Sequence, residues 1–305
     1  MISEKTVTRF RFWLCSSILL LFVTSFAYSA VFAEPVFILK FGSFGLDDDE
    51  FNEPVDIALD ASGKIIYVAD KNNNRINVFD EEGEQQFHFG SFCNMVANQG
   101  CHDNSPKADE DGDGQFNQPA GIIFDKFGDI YVTDSQNNRV QRFDSDGDFE
   151  IKFGSEDDND QDYLGSPTGI TIHESTRDIY VSDTMIDSIS VFDSFGNFLF
   201  KFGSTGSDDG EFNSPSGLAL DSANDLLYVA DTDNDRIQIF ELVDNNCPQG
   251  TDEIVAGICF VNEFGSTGSD DGEFNSPSGL ALDSANDLLY VADTDNDRIQ
   301  IFELV

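Results

Sequence analysis

The stretch "FNEPVDIALDASGKIIYVADKNNNRINVFD", Phe51 to Asp80, returns as "FNQPAGIIFDKFGDIYVTDSQNNRVQRFD" at Phe116 to Asp144. It returns again, with changes, as "GSPTGITIHESTRDIYVSDTMIDSISVFD" at Gly165 to Asp193. Two further copies lie in a segment that occurs twice without a difference, Phe202 to Val243 and Phe264 to Val305, which makes five in all. Each copy holds three apolar runs, in the first "DIALD", "KIIYVAD" and "RINVFD", rich in the β-branched and aromatic residues that favour strands. Turn residues divide them.

A fourth run follows most copies: "EQQFHFGS" at Glu84 to Ser91, "DFEIKFGS" at Asp148 to Ser155, "NFLFKFGS" at Asn197 to Ser204, and "ICFVNEFGS" at Ile258 to Ser266. Four short antiparallel strands per unit, repeated, predict an all-β chain of β-propeller blades. One blade cannot bury both of its faces. Stacking blades around an axis supplies the neighbours.

The pattern F-N-x-P-x-G-[IL]-x-x-D, then Y-V-[ATS]-D, then N-x-R-[IV], then F-D resembles the NHL repeat, with units near 41–88, 89–152, 153–201, 202–263 and 264–305. The third copy departs from it, with Ser188 where the others carry Arg75, Arg139, Arg236 and Arg298, and His173 in place of an Asp. "PVFILKFGS" (Pro35 to Ser43) has the form of a fourth strand, and the last copy supplies only three. The expectation is therefore five blades closed by the N-terminal strand, the alternative being an incomplete six-bladed propeller.

Lys5, Arg9 and Arg11 precede the apolar run "FWLCSSILLLFVTSFA", and "VFA" (Val31 to Ala33) offers a cleavage site. Residues 1–33 thus read as an export signal, with a membrane anchor as the alternative, and 34–305 as the propeller lying extracellularly or at the cell surface. After cleavage no membrane span is expected. Three basic residues and one acidic residue would leave with the signal, so the net charge of −42 becomes −44. Nucleic acid is a poor partner for that surface, because binding it requires Lys and Arg to neutralise phosphates.

Alternating hairpins place the loops between second and third strands, and those between blades, on one face. These loops are the more acidic, as in "GLDDDEFN" and the doubled "GSDDGEFN". They focus negative potential where divalent cations or a basic protein or cell-envelope component would gather. Asp109, Asp111 and Asp113 in "DEDGDG" resemble the start of a calcium loop, although Ala120 stands at the twelfth position where an EF-hand needs Glu. The recurrent Asp70, Asp134, Asp183, Asp231 and Asp293 would ring the channel mouth as carboxylates, or pair with the Arg five residues on. Pairing is the favoured expectation. Cys93 with Cys101 and Cys247 with Cys259 are expected as local disulfides of an oxidising compartment.

Some propellers similar to this one are lactonases or lyases with a channel metal. The three His residues, His88, His102 and His173, occupy unlike positions, so a His-held metal centre is not expected, and a carboxylate-held channel metal is the enzymatic alternative. No catalytic residue and no other cofactor is predicted. The favoured function is a binding scaffold with a strongly acidic face, for which calcium is a candidate ligand and an ordinary acidic, Gly-rich loop at Asp109–Asp113 the alternative.

Overall fold

In a computed structural model, the described residues are 37–91, 112–155, 157–243, 247–248, 252–255 and 257–304. The expected signal, Cys93, Cys101, His102, Asp109 and Asp111 lie outside them. Among the described residues no helix is long and apolar enough to cross a membrane. The chain divides into residues 1–38 and a body of residues 39–305.

That body is a five-bladed β-propeller of antiparallel sheets. Blade 1 comprises β1 (Pro54–Leu59), β2 (Ile65–Asp70), β3 (Arg75–Asp80) and β4 (Gln85–Phe89). Blade 2 comprises β5 (Pro119–Phe124), β6 (Ile130–Asp134), β7 (Arg139–Phe143) and β8 (Phe149–Phe153). Blade 3 follows as β9 (Pro167–Ile172), β10 (Ile179–Asp183), β11 (Ser188–Phe192) and β12 (Phe198–Phe202). Blade 4 contains β13 (Pro215–Asp221), β14 (Leu226–Asp231), β15 (Arg236–Leu242), β16 (Asp252–Val255) and β17 (Ile258–Phe264). Blade 5 contains β18 (Pro277–Asp283), β19 (Leu288–Asp293) and β20 (Arg298–Glu303).

Local chemistry fixes the element ends. Every first strand opens on a Pro, a position where the missing amide donor costs no ladder bond. Each turn from second to third strand passes through a left-handed residue, Asn74, Asn138, Asp187, Asp235 or Asp297, and Asn and Asp tolerate that conformation best among residues with a side chain.

The core lies between sheets rather than within them. Four apolar clusters fill the four spaces between consecutive blades. Aromatic triads brace three of these junctions, and they account for much of the Phe content. Phe89, Phe116 and Phe143 meet with ring centroids 4.9 to 6.3 Å apart, and Phe202 with Phe212 and Phe240, and Phe264 with Phe274 and Phe302, repeat the arrangement. Leu164 takes the middle place in blade 3, where it is fully buried.

Five blades are as expected; the strands within them differ in two places. The sequence between β15 and β17 forms an extra outer strand, β16, tied in by the Cys247–Cys259 disulfide that the local pairing predicted. The fifth sheet has three strands, and residues 37–42 lie in no strand, so the N-terminal clasp does not pair with β20. Its packing half is nonetheless present. Phe41 stacks on Phe79 at 4.7 Å beside Phe51, as Phe89 stacks on Phe143 beside Phe116, and it covers Gly83 as Phe89 covers Gly147.

Candidate functional site

The second-to-third strand turns and the interblade loops share one face, as their backbone bonds show: Asn72 N donates to Asn52 O, Gln136 N to Asn117 O, Asp233 N to Asn213 O and Asp295 N to Asn275 O. Beneath this face lies the recurrent Asp–Arg pair. Arg75 Nε donates to Asp70 Oδ2 at 3.1 Å, Arg139 to Asp134 at 2.8 Å, Arg236 to Asp231 at 2.7 Å and Arg298 to Asp293 at 2.7 Å. All four carboxylates are buried, and each also accepts from the backbone amide of Asn52, Asn117, Asn213 or Asn275 and from a neighbouring Asn side chain. These Asp residues are structural hubs, not an open ring of carboxylates.

The guanidinium groups do a second thing, which repeat reading missed. Arg75 donates to the carbonyls of Leu46, Asp47 and Glu50; Arg139 to Gly112 and Gln115; Arg236 to Asp208 and Glu211; Arg298 to Ser269, Asp270 and Glu273. Two residues after the Arg, the amides of Gln141, Gln238 and Gln300 reach both the hub carboxylate and the same loop. The recurrent N-R-x-Q and D-R-x-Q spellings were the available signal.

Each acidic loop is thus gripped by its carbonyls, and many of its carboxylates point outward. Asp47, Asp48, Asp49, Asp208, Asp209, Asp270 and Asp271 are all exposed. Blade 3 reaches the same end differently. Without an Arg, Asp183 accepts the amides of Gly165 at 2.5 Å, Ser166 at 2.9 Å and Met185 at 3.1 Å, and so anchors the loop carrying Asp157, Asp158 and Asp160.

Burial pushes the Asp134 carboxyl up, against the pull of Arg139 and its hydrogen bonds. In blade 5 burial acts in the same direction, but the Asn275 amide and the Arg298 and Asn296 bonds outweigh it and hold Asp293 down. Of the proposed calcium ligands, Asp113 is described, and its carboxylate lies 2.5 Å from Lys152 Nζ and 3.7 Å from Arg139 Nη1. Among the described residues no group of three or more His, Cys, Asp or Glu is arranged to hold a metal ion.

His173 is buried and replaces the Asp that caps the first hairpin elsewhere: Nδ1 accepts from the Thr176 amide while Nε2 lies 2.8 Å from Asp225 Oδ1. His88 stands on another blade, 3.6 Å from Asp48. On the opposite face, a cavity of about 340 Å³ is lined by Leu59, Phe124, Asp125, Lys126, Glu174 and Arg177, among others. Arg177 lies 2.8 Å from Asp125 there, and Lys126 donates to the Glu174 backbone carbonyl.

Comparison with known proteins agrees with this repeat architecture. The NHL repeat pattern matches residues 51–79, 116–143, 212–240 and 274–302. Over 144 residues, 47% of this chain, the sequence is 33% identical to the protein brain tumor of Drosophila melanogaster. The match spans only 12% of that protein's length. Among solved structures, a nidogen/laminin complex aligns with a TM-score of 0.54 at 17% identity, covering 82% of this chain and 76% of that one. A periplasmic gluconolactonase of Pseudomonas aeruginosa aligns at 0.53 and 14% identity, covering 83% and 67%. At these identities the two structures are similar in fold alone.

Proposed function

We propose that this chain, which belongs to the NHL repeat family, is a binding scaffold that acts outside the cytoplasm and captures a basic patch on another surface protein. One observation carries the reading: buried or half-buried Arg side chains grip the interblade loops by their carbonyls, so the loop carboxylates are presented in fixed positions toward solvent. A preorganised array of one sign loses little entropy on binding and concentrates opposite charge at the face. Divalent cations, calcium among them, would occupy the same field and compete with the protein partner. The absence of an Arg from blade 3 leaves the acidic loop there on a different anchor, which makes that sector the distinctive part of the face.

Calorimetric titration with a lysine-rich peptide and, separately, with calcium chloride at low ionic strength tests this. Saturable peptide binding that calcium weakens supports the reading. No heat with either, together with turnover of a lactone when divalent metal is added, would replace it by an enzyme of the gluconolactonase kind.

A further inference from the structure

First strands are the inner strands of this fold: β1, β5, β9 and β13 adjoin one another from blade to blade. The approach is close, since a Cβ on Gly121, Gly169 or Gly217 would stand 2.3, 2.1 or 2.0 Å from a backbone carbonyl of the next blade. On the face opposite the acidic loops these strands end in an apolar wall. Leu59, Ile123, Phe124, Ile172 and Leu220 form it, around the cavity of about 340 Å³. A concave space of that size, with apolar walls and few polar groups, suits a small molecule.

Charged side chains at the rim are Asp125, Lys126, Glu174 and Arg177. Asp125 and Arg177 cancel: Oδ2 of the buried carboxylate accepts from Arg177 Nη2 at 2.8 Å, and Oδ1 accepts the amides of Phe127 and Asp129. Lys126 and Glu174 are not cancelled in this way. Lys126 Nζ donates to the Glu174 backbone carbonyl at 2.9 Å, and the Glu174 amide donates to the Ser222 hydroxyl. Both side chains are exposed, and among the described residues neither the Lys126 ammonium nor the Glu174 carboxylate forms an ion pair.

The repeat shows how particular this placement is. Lys126 and Glu174 hold the same position of the first hairpin in adjacent blades, the residue after Asp125 and after His173, and the other copies carry the small Ala61, Ser222 and Ser284 there. Arg177 is equally particular. It stands at a left-handed turn position, φ 67°, that Gly63, Gly128, Asp225 and Asp287 fill in the other blades, and a long side chain rarely adopts that conformation. From there its guanidinium lies over the Phe127 ring, 4.6 Å from the centroid, and neutralises Asp125. One ammonium and one carboxylate are left at an apolar mouth.

We propose that this mouth binds a free α-amino acid with an apolar side chain, its carboxylate at Lys126, its ammonium at Glu174 and its side chain against the wall. The occupant follows from charge complementarity. Lys126 Nζ already lies at the Glu174 backbone, so the two charges stand side by side, as they do in a molecule that carries both on one carbon. A peptide would hold its two terminal charges apart. A fatty acid or an alkylamine would answer one charge and bury its tail beside the other, forgoing a charge-assisted hydrogen bond. The acidic loops take no part, so the site stands or falls independently of the scaffold reading.

The test titrates the full chain by calorimetry with L-leucine, with 4-methylpentanoate, which lacks the amine, with 3-methylbutylamine, which lacks the carboxylate, and with glycine, which lacks the side chain. L-leucine should bind saturably, and each of the other three more weakly by about tenfold or more. Two variants at exposed positions, with melting temperature as the check on folding, assign the charges. Lys126→Gln should erase the advantage of leucine over 3-methylbutylamine, and Glu174→Gln its advantage over 4-methylpentanoate. No saturable binding of leucine overturns the proposal. So does leucine binding that both variants leave unchanged, or that the amine or the carboxylate alone matches in wild type.

Discussion

Ile237 and Ile299 hold the same place in identical sequences, yet the first is fully buried against the following blade and the second is 63% exposed. Burial in this fold is therefore a property of the neighbour, not of the repeat. The duplicated segment gives internal controls in which residue and local sequence are constant and only the next blade differs.

Arg236→Ala and Arg298→Ala form the first such pair. Arg236 is 7% exposed and also contacts Glu263, while the Arg298 side chain is 27% exposed. Removing Arg236 strands the Asp231 carboxylate in a dry site and should cost about 3 kcal/mol. Arg298→Ala should cost less, roughly 1 kcal/mol, because the Arg298 side chain is partly exposed and water can take the place it leaves beside the Asp293 carboxylate. Urea unfolding of the two variants measures the difference, and equal losses would mean the blades do not differ in environment.

Gly217→Ala and Gly279→Ala form the second pair. The added methyl in Gly217→Ala would stand 2.0 Å from the backbone carbonyl of Ser278, which cannot move without shifting a strand. A loss of about 2 kcal/mol or more is expected from the overpacking. The same change at Gly279 meets only Ala292 Cβ at 3.7 Å, an ordinary contact, and should leave the melting temperature nearly unchanged.

Asp56 stands where other blades carry that glycine, and its carboxylate accepts the Ile122 amide of blade 2 at 2.8 Å. Burial pushes its pKa up from 3.8 to about 6, against the hydrogen bonds from Ile122 and Ile57. The folded state therefore holds the proton more tightly than the unfolded one. Its contribution is fully present below pH 3.8 and is lost as pH rises through about 6. Asp56→Asn should stabilise the chain at pH 7.5 by on the order of 1 to 2 kcal/mol and do little at pH 4. Melting curves at both pH values check the sign.

The Cys247–Cys259 disulfide closes a local loop of sequence separation 12 around β16. Cys247→Ser with Cys259→Ser should cost about 2 kcal/mol and speed amide exchange in Asp252–Val255. Exchange in β13 to β15 should be altered less, because those strands also pack on blades 3 and 5, and Ile254 and Val255 of β16 add only partly buried contacts to that core.

Strand order, blade number and the Asp–Arg pairing were legible because each is written several times over in short-range spacing. Asp70 and Arg75 are five residues apart in a hairpin, and nothing distant decides their meeting. The grip of Arg75 on Leu46, Asp47 and Glu50 was not legible, because it joins segments separated by a whole blade's first hairpin. Nor was β16, since "DEIV" is a run too short to distinguish from loop. The unpaired clasp shows the limit from another side: "KFGS" encodes both a packing Phe and a strand, and at Phe41 the structure realises the packing alone. Exposure of Ile57 and Ile299 was beyond any repeat-level reading, because the sequence spells these blades like the covered ones.

Whether the loop carboxylates present an acidic binding face can be read from a single titration. Binding of a lysine-rich peptide is measured by calorimetry for wild type, for a variant with Asp208, Asp209, Asp270 and Asp271 changed to Asn, and for a control with Glu82→Gln and Asp146→Asn in turns of the opposite face. Saturable binding to wild type is expected to weaken as salt rises, to survive in the control, and to be lost in the loop variant at unchanged melting temperature. Equal binding by all three proteins, or none by wild type at low salt, would contradict it.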